Sequence, residues 1–394
     1  MSDGRTTPVA SPDGGFARTA TPEETMCRIE PLLPHLGISR VADITRLDEL
    51  ALPTHVAYRP AGRTLAVSIG IGPGSAQSWV SAVMESLETW HAENLRPPVA
   101  CRTAARELDL PYDVRSLNLA RRSPLTTATT LDWVTARGVL SGATVPVPRG
   151  LVELSCTGRW DWNDVLFNVT SNGLGTGNSA EEAILHGLLE VAERDGCAPF
   201  ATLPPARRRH VDPDSTGSPV VTRVLSALRE AGCAVELCET TDRLGIPTFA
   251  CGIWSPAVPM FFSGFGCHPD PGYAVSRAML EAALSRLAAV SGARDDIDEA
   301  RYGQADSTDP PGWPDRDLPP VAVRVVPSGG IAEAIADCAA RIRAVTGTEP
   351  LVVDLTHEEV GIPVYKVVAP GLRMFGDVIA HGVGTDQGVR ADHG

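Results

Sequence analysis

SNGLGTGNSAEEAILHGLLEVAERD, residues 171–195, and SIGIGPGSAQSWVSAVMESLETWHAE, residues 68–93, follow one plan. In the first, strand-like LFNVT and the glycine turn SNGLGTGNS lead to a helix opening at Ser179. In the second, the alternating run 64–71 passes through Gly70, Gly72 and Gly74 to a helix opening at Ser75. At 3.6 residues per turn, Ser81, Glu85 and Glu88 share one helix face, and Glu182, His186, Glu190 and Glu193 share another. Both helices are otherwise apolar, so the pairs Glu85/Glu88 and Glu190/Glu193 interrupt surfaces built to pack. His186 and Arg194 are the nearest basic residues, and no Lys lies at helical spacing to share the charge. A shared cation is the simplest neutraliser.

A third version of the plan runs from PMFFSGFGCHPDPG, 259–272, into a helix near Tyr273 that carries Glu281, Ser285 and Arg286. Three strand, glycine-turn, helix units predict an α/β (α+β) fold with helices packed on sheets and helix N-termini converging on one ligand. Carboxylates with few basic partners suit Mg²⁺, which completes its octahedron with water and phosphate oxygens. Glycine turns offer N–H groups to phosphate, so the pattern points to a nucleoside triphosphate held by Mg²⁺, without a Walker A sequence. Solvated helix faces are the plainer alternative. A di-iron site built on Glu88-x-x-His91 lacks its second Glu-x-x-His, and 37 Gly with 33 Pro do not suit a four-helix bundle. No Gly-x-Ser-x-Gly elbow supports a hydrolase.

The remaining sequence sets bounds. Of 394 residues 43% are apolar, enough for a sizeable core, and 34 basic against 48 acidic residues leave −14, which disfavours a nucleic-acid surface. The start lacks a signal peptide and no apolar run is long enough for a membrane, so a cytoplasmic protein is expected. Nine cysteines without a Cys-x-x-Cys pair read as small core residues, and a zinc site at Cys233 and Cys238 lacks further ligands nearby. By composition residues 1–20 form a flexible tail, and order begins where Thr21 caps a helix at Pro22, opening a single unit over 21–385. Residues 300–320 read as a loop, gating or linking. Beyond them come a helix over 331–345 and strands in LVVDL and IPVYKVVA.

The chain resembles the YcaO family. The resemblance rests on residues 19–50, 68–93, 171–195 and 265–296, in the family's order, and the wording SLETWHAE and SNGLGTGNS is most similar to the branch that works beside a TfuA protein. It implies a YcaO-like fold and an enzyme that uses ATP to phosphorylate a peptide-backbone amide oxygen before a nucleophile attacks the carbon. It further implies that Glu85, Glu88, Glu190 and Glu193 bind Mg²⁺ and that Ser81, Asn178 and Glu182 hold the nucleotide. Arg194 and Arg286 would face phosphates, Glu281 would complete the nucleotide site, and Arg18 and Thr25 would bring the N-terminal segment to it. Three departures stand out: Gly70-Ile71-Gly72 where Gly-Lys-Gly is common, Leu284 where Gln is frequent, and the ending GVGTDQGVRADHG without a proline-rich terminus. The last favours thioamide formation, with a TfuA-like protein delivering sulfur to a peptide or protein substrate. An azoline- or amidine-forming cyclodehydratase of ribosomal peptide biosynthesis and a non-catalytic nucleotide-binding subunit are the alternatives. No nucleic-acid or membrane partner is expected, and a homodimer is allowed.

Overall fold

The computed structural model describes residues 15–154, 162–200, 203–292, 311–314, 317–322 and 330–374. Helix α1, Pro22–Ile29, begins as its sequence dictates: Thr21 accepts from the Glu24 N–H while the Glu24 side chain accepts from the Thr21 N–H. Strands β1 (Arg40–Asp43), β2 (Thr54–Tyr58) and β3 (Val67–Ile71) form an antiparallel sheet, and α2 (Ser75–Glu93) packs on it through Ala82, Val83 and Leu87. A second sheet holds β4 (Cys101–Ala104), β5 (Thr130–Gly138), β6 (Thr144–Pro148) and β7 (Leu174–Thr176). The short helix α3 (Trp162–Leu166) precedes β7, and α4 (Ala180–Cys197) follows it. The third sheet orders β10 (Val258–Cys267), β9 (Thr248–Ser255) and β8 (Ala234–Glu239), covered by α5 (Pro219–Glu230) and α6 (Pro271–Ser291). The chain then returns through α7 (Gly330–Thr346) to the second sheet, adding β11 (Leu351–Asp354) and β12 (Val364–Val368) in the order β4-β5-β11-β12-β7, with β6 also on β5.

The three repeated units are β3-α2, β7-α4 and β10-α6, and each uses a strand glycine to bring helix backbone onto strand backbone. A Cβ on Gly70 would lie 2.1 Å from the Ala82 nitrogen, on Gly175 2.2 Å from the Ala183 oxygen, and on Gly264 2.2 Å from the Ala282 nitrogen. No side chain fits there, so the glycines set how deeply each acidic helix sits. Gly70→Ala should therefore lift α2 and cost at least about 1–3 kcal/mol, as overpacking does. Urea unfolding checks this, and wild-type stability in that variant would refute the close approach.

Two expectations shift. LFNVT is not a strand: Phe167 makes one isolated bridge to Leu119, and the strand is Leu174–Thr176, inside the supposed turn. Gly173, at φ +82, turns the chain into it, and the glycines that read as turn residues serve helix approach. Helix α6 starts at Pro271, capped by Asp270, whose carboxylate accepts from the N–H groups of Gly272 and Tyr273. Most of the 300–320 loop and the ending GVGTDQGVRADHG lie outside the described residues. No helix among the described residues is long and apolar enough to cross a membrane.

Candidate functional site

Strand β7 ends its sheet, and carboxylates from two helices meet its free edge. Glu88 of α2 accepts from the Thr176 N–H and hydroxyl, both at 2.9 Å, and Glu190 of α4 accepts from the Gly173 N–H at 3.1 Å. Glu281 of α6 does the same at the β10 edge, accepting from the Phe265 N–H at 3.1 Å. Sequence-distant carboxylates are thereby held close enough to repel one another: Glu88 feels Glu190 and Glu85, and Glu193 feels Glu281 and Glu190. His186 Nδ1 stands 3.7 Å from Glu88. Ser81 lies one turn before the exposed Glu85 on α2. The acidic faces of three helices thus form one cluster.

Burial, then like charge, pushes the Glu88 carboxyl up to about 8, and the same causes push Glu193 to about 8. Burial also raises Glu190, against the pull of Arg194 and Lys366. A divalent cation with oxygen preference is what such a cluster lacks, and binding one would expel its protons. The sign follows from linkage. These carboxyls titrate near 8 when folded against an ordinary 4.5, so folding retains protons between those values, and metal-free stability falls as pH rises through that window. Melting curves with and without Mg²⁺ should diverge as pH rises, with Mg²⁺ flattening the decline. Parallel curves would show that the carboxylates bind no cation.

A second group gathers at the N-terminal end of α4. Glu182, 2% exposed, accepts from the Thr19 N–H at 2.7 Å, the Thr19 hydroxyl at 2.9 Å and the Asn178 N–H at 3.0 Å, with Arg18 3.5 Å away. Burial would raise its carboxyl, but the Thr19 N–H, the Arg18 charge and Asn178 outweigh it and lower the pKa. Asn178 Oδ1 accepts from the Thr25 hydroxyl at 2.9 Å and from Arg28 at 2.8 Å. Arg18, Thr25, Asn178 and Glu182 are therefore brought together. Residues 15–20, a tail by composition, are held down instead: Thr19 by Glu182 and Phe16 against His268.

Arg194 lies beside the carboxylates, its Nη2 3.8 Å from Glu190, while its buried Nη1 has no hydrogen-bond partner among the described residues. An unsatisfied buried guanidinium donor is costly, and a phosphate oxygen is the acceptor it suits. Arg286 is elsewhere. It is 1% exposed, paired bidentately with Asp48 at 2.9 and 3.0 Å and donating to Ser255 at 2.6 Å, so it cannot face a phosphate here. Ile71 and Leu284 also point into apolar packing, so neither departure opens onto the cluster. Near Cys238, His210 and Glu236 do come within ligand distance, but Glu236 already accepts from Arg208 and pairs with His210.

Sequence reasoning missed Lys366. It is the only lysine of the chain, buried to 4% exposure on β12, and it donates to the Thr170 carbonyl at 2.7 Å. Burial lowers its pKa to about 8, against the attraction of Glu190 and Glu88. Its uniqueness, in an apolar strand of an arginine-rich chain, was the available signal.

The family described as YcaO cyclodehydratase, ATP- and Mg²⁺-binding, matches residues 69–373. A Mycobacterium tuberculosis protein is 37% identical over 91% of this chain and 83% of its own length. A Rhizobium leguminosarum bv. trifolii protein from the tfuA 3' region is 34% identical over 91% and 89%. Among solved structures, YcaO from Methanopyrus kandleri bound with AMPPCP and Mg²⁺ aligns with a TM-score of 0.68 at 24% identity, over 94% of this chain and 97% of that one. A heterocyclase in complex with substrate and cofactor aligns at 0.71 and 22% identity, and this chain spans 54% of its length.

Proposed function

The chain belongs to the YcaO family, whose ligands are ATP and Mg²⁺, and on that premise we propose that it activates a backbone amide of a peptide or protein for conversion to a thioamide. The observation that carries this reading is the meeting of Glu88, Glu190, Glu193 and Glu281 beside Arg194, whose Nη1 has no partner among the described residues. Glu85, Glu88, Glu190 and Glu193 hold Mg²⁺, which when bound supplies charge neutralisation and alignment to the phosphates. Arg194 donates to a phosphate oxygen. Arg18, Thr25, Ser81, Asn178 and Glu182 hold the nucleotide, with the bonds from Thr19 to Glu182 fixing the N-terminal segment across the start of α4.

The chemistry balances as follows. The amide oxygen attacks the γ-phosphorus and ADP leaves; a sulfur nucleophile adds to the activated carbon; phosphate departs with the original oxygen, and the sulfur's proton is lost. Among the described cysteines, Cys197, Cys267 and Cys338 are poor sulfur carriers, since burial pushes the thiols of the first two well up and that of Cys338 to about 12. A TfuA-like protein is the proposed sulfur-delivering partner, a reading supported by the relative from the tfuA 3' region. The family's description as a cyclodehydratase favours a second reading, in which a neighbouring side chain attacks the same activated carbon and water is lost.

Mass spectrometry of a substrate peptide separates the two after incubation with ATP, Mg²⁺ and sulfide, with and without the TfuA-like protein. Exchange of one oxygen for sulfur, dependent on the partner, is the expected result. A product lighter by one water would overturn thioamidation in favour of ring closure.

A further inference from the structure

Beside the carboxylate cluster lies a small pocket whose polar groups the nucleotide reading leaves unused. It has a volume of about 50 Å³ and is lined by Asn118, Asn168, Thr170, Asn172, Lys366 and Met374, among others. That is room for a few waters or one peptide unit rather than a side chain of any size. Val191, next to Glu190 on α4, forms part of its wall, and Gly173, whose N–H binds Glu190, follows Asn172 directly. Whatever fills the pocket therefore abuts the site where an amide would be activated.

Among the described residues, two of its polar groups have fewer partners than they can take. An ammonium carries three N–H donors, yet Lys366, 4% exposed, makes one hydrogen bond, to the Thr170 carbonyl, and among the described residues no carboxylate lies within ion-pair distance. Among the described residues no donor reaches the buried Asn172 Oδ1, while its Nδ2 faces the Met374 sulfur. The pocket thus offers one strong donor and one acceptor in an otherwise well-packed wall. The 33 other residues of the Lys/Arg class are all arginine, and a planar guanidinium is not interchangeable with a compact ammonium.

We propose that this pocket is the seat of the acceptor amide: Lys366 donates to the carbonyl oxygen of a substrate peptide bond and Asn172 Oδ1 accepts from its N–H. One peptide group supplies both missing partners, and an ester or a lone anion supplies one. The inference rests on the amide-activation reading and adds to it two substrate-positioning residues.

The single lysine makes the test direct. Protein labelled with ¹⁵N,¹³C-lysine gives one side-chain signal, recorded with Mg²⁺ and a non-hydrolysable ATP analogue while the blocked amide N-acetylglycine methylamide is added. A saturable shift of the Lys366 signal is expected, with binding weakened by about tenfold or more in Asn172→Leu, as loss of a buried hydrogen bond implies. The Asn172→Leu variant should keep wild-type affinity for the Mg²⁺-bound analogue. A Lys366 signal that ignores the amide overturns the proposal, as does a shift that Asn172→Leu leaves intact. Calorimetry of the analogue with wild type decides the parent reading separately: no nucleotide binding sinks amide activation, whereas nucleotide binding without an amide response sinks only this inference.

Discussion

Glu190→Gln should leave a folded protein whose substrate-dependent ATP consumption has fallen by roughly 10²–10³-fold, the scale seen when one electrostatic contact to a transition state is removed. Glu190 occupies the middle of the cluster: Gly173 donates to one oxygen, and Arg194 stands 3.8 Å from the other. A glutamine keeps an acceptor for the Gly173 N–H, so the β7 edge stays satisfied. What disappears is the charge that a cation and its phosphates would use. Because burial already disfavours that charge in the metal-free fold, the variant should melt at or above the wild-type temperature without Mg²⁺ and gain less from adding it. Glu153→Gln, in the peripheral pair with Arg149, is the control. Undiminished ATP consumption by Glu190→Gln would remove Glu190 from the metal site and weaken the whole assignment.

The second large effect falls on stability. Arg286→Met removes the ion-pair partner of Asp48, whose carboxylate is left buried with the Glu49 N–H but no countercharge, and breaking a buried pair in this way costs about 3–5 kcal/mol. The resemblance implied a phosphate contact for Arg286; its bonds to Asp48 and Ser255 instead tie α6 to the segment before β2 and to the end of β9. Denaturant unfolding should show the loss, and the double variant Asp48→Asn with Arg286→Met should recover part of it, since no charge then remains unpaired. Nucleotide affinity, measured where the variant is folded, should be close to wild type. A collapse of affinity at unchanged stability would return Arg286 to the phosphates.

The contrast between Arg194 and Arg286 marks the limit of reading motifs by spacing. Both arginines lie on acidic helices within a few residues of a cluster carboxylate, Glu193 on α4 and Glu281 on α6. Arg194 is kept at the cluster with a free donor, whereas Arg286 is five residues past Glu281, well around the helix, and is taken up by Asp48 from a distant segment. Lys366 was passed over for the reverse reason. A lysine in an apolar strand carries no local pattern, and only the pairing of β12 with β7 brings it under Glu190 and Glu88.

What the amino-acid sequence determined by itself was helix positions and faces, which depend on neighbours within a few turns of chain, whereas the strand before α4 was misplaced at LFNVT. Helical periodicity placed Ser81, Glu85 and Glu88 on one face and Glu182, His186, Glu190 and Glu193 on another; Thr21 caps its helix where expected, and Ser179, expected to open the helix of the second acidic pair, stands just before it as its cap. The three repeated units were legible because each is a local strand and helix joined through glycines. Tertiary structure alone decided which faces meet. The contacts of Glu88 with Thr176, of Thr19 with Glu182 and of Arg286 with Asp48 span 88, 163 and 238 residues. Over such separations no dihedral preference or periodicity carries information; the partners are fixed by how sheets and helices bury their apolar surfaces together. The same packing raises the carboxyl pKa values, since burial and like charge exist only once three acidic helices have been pressed against two sheet edges.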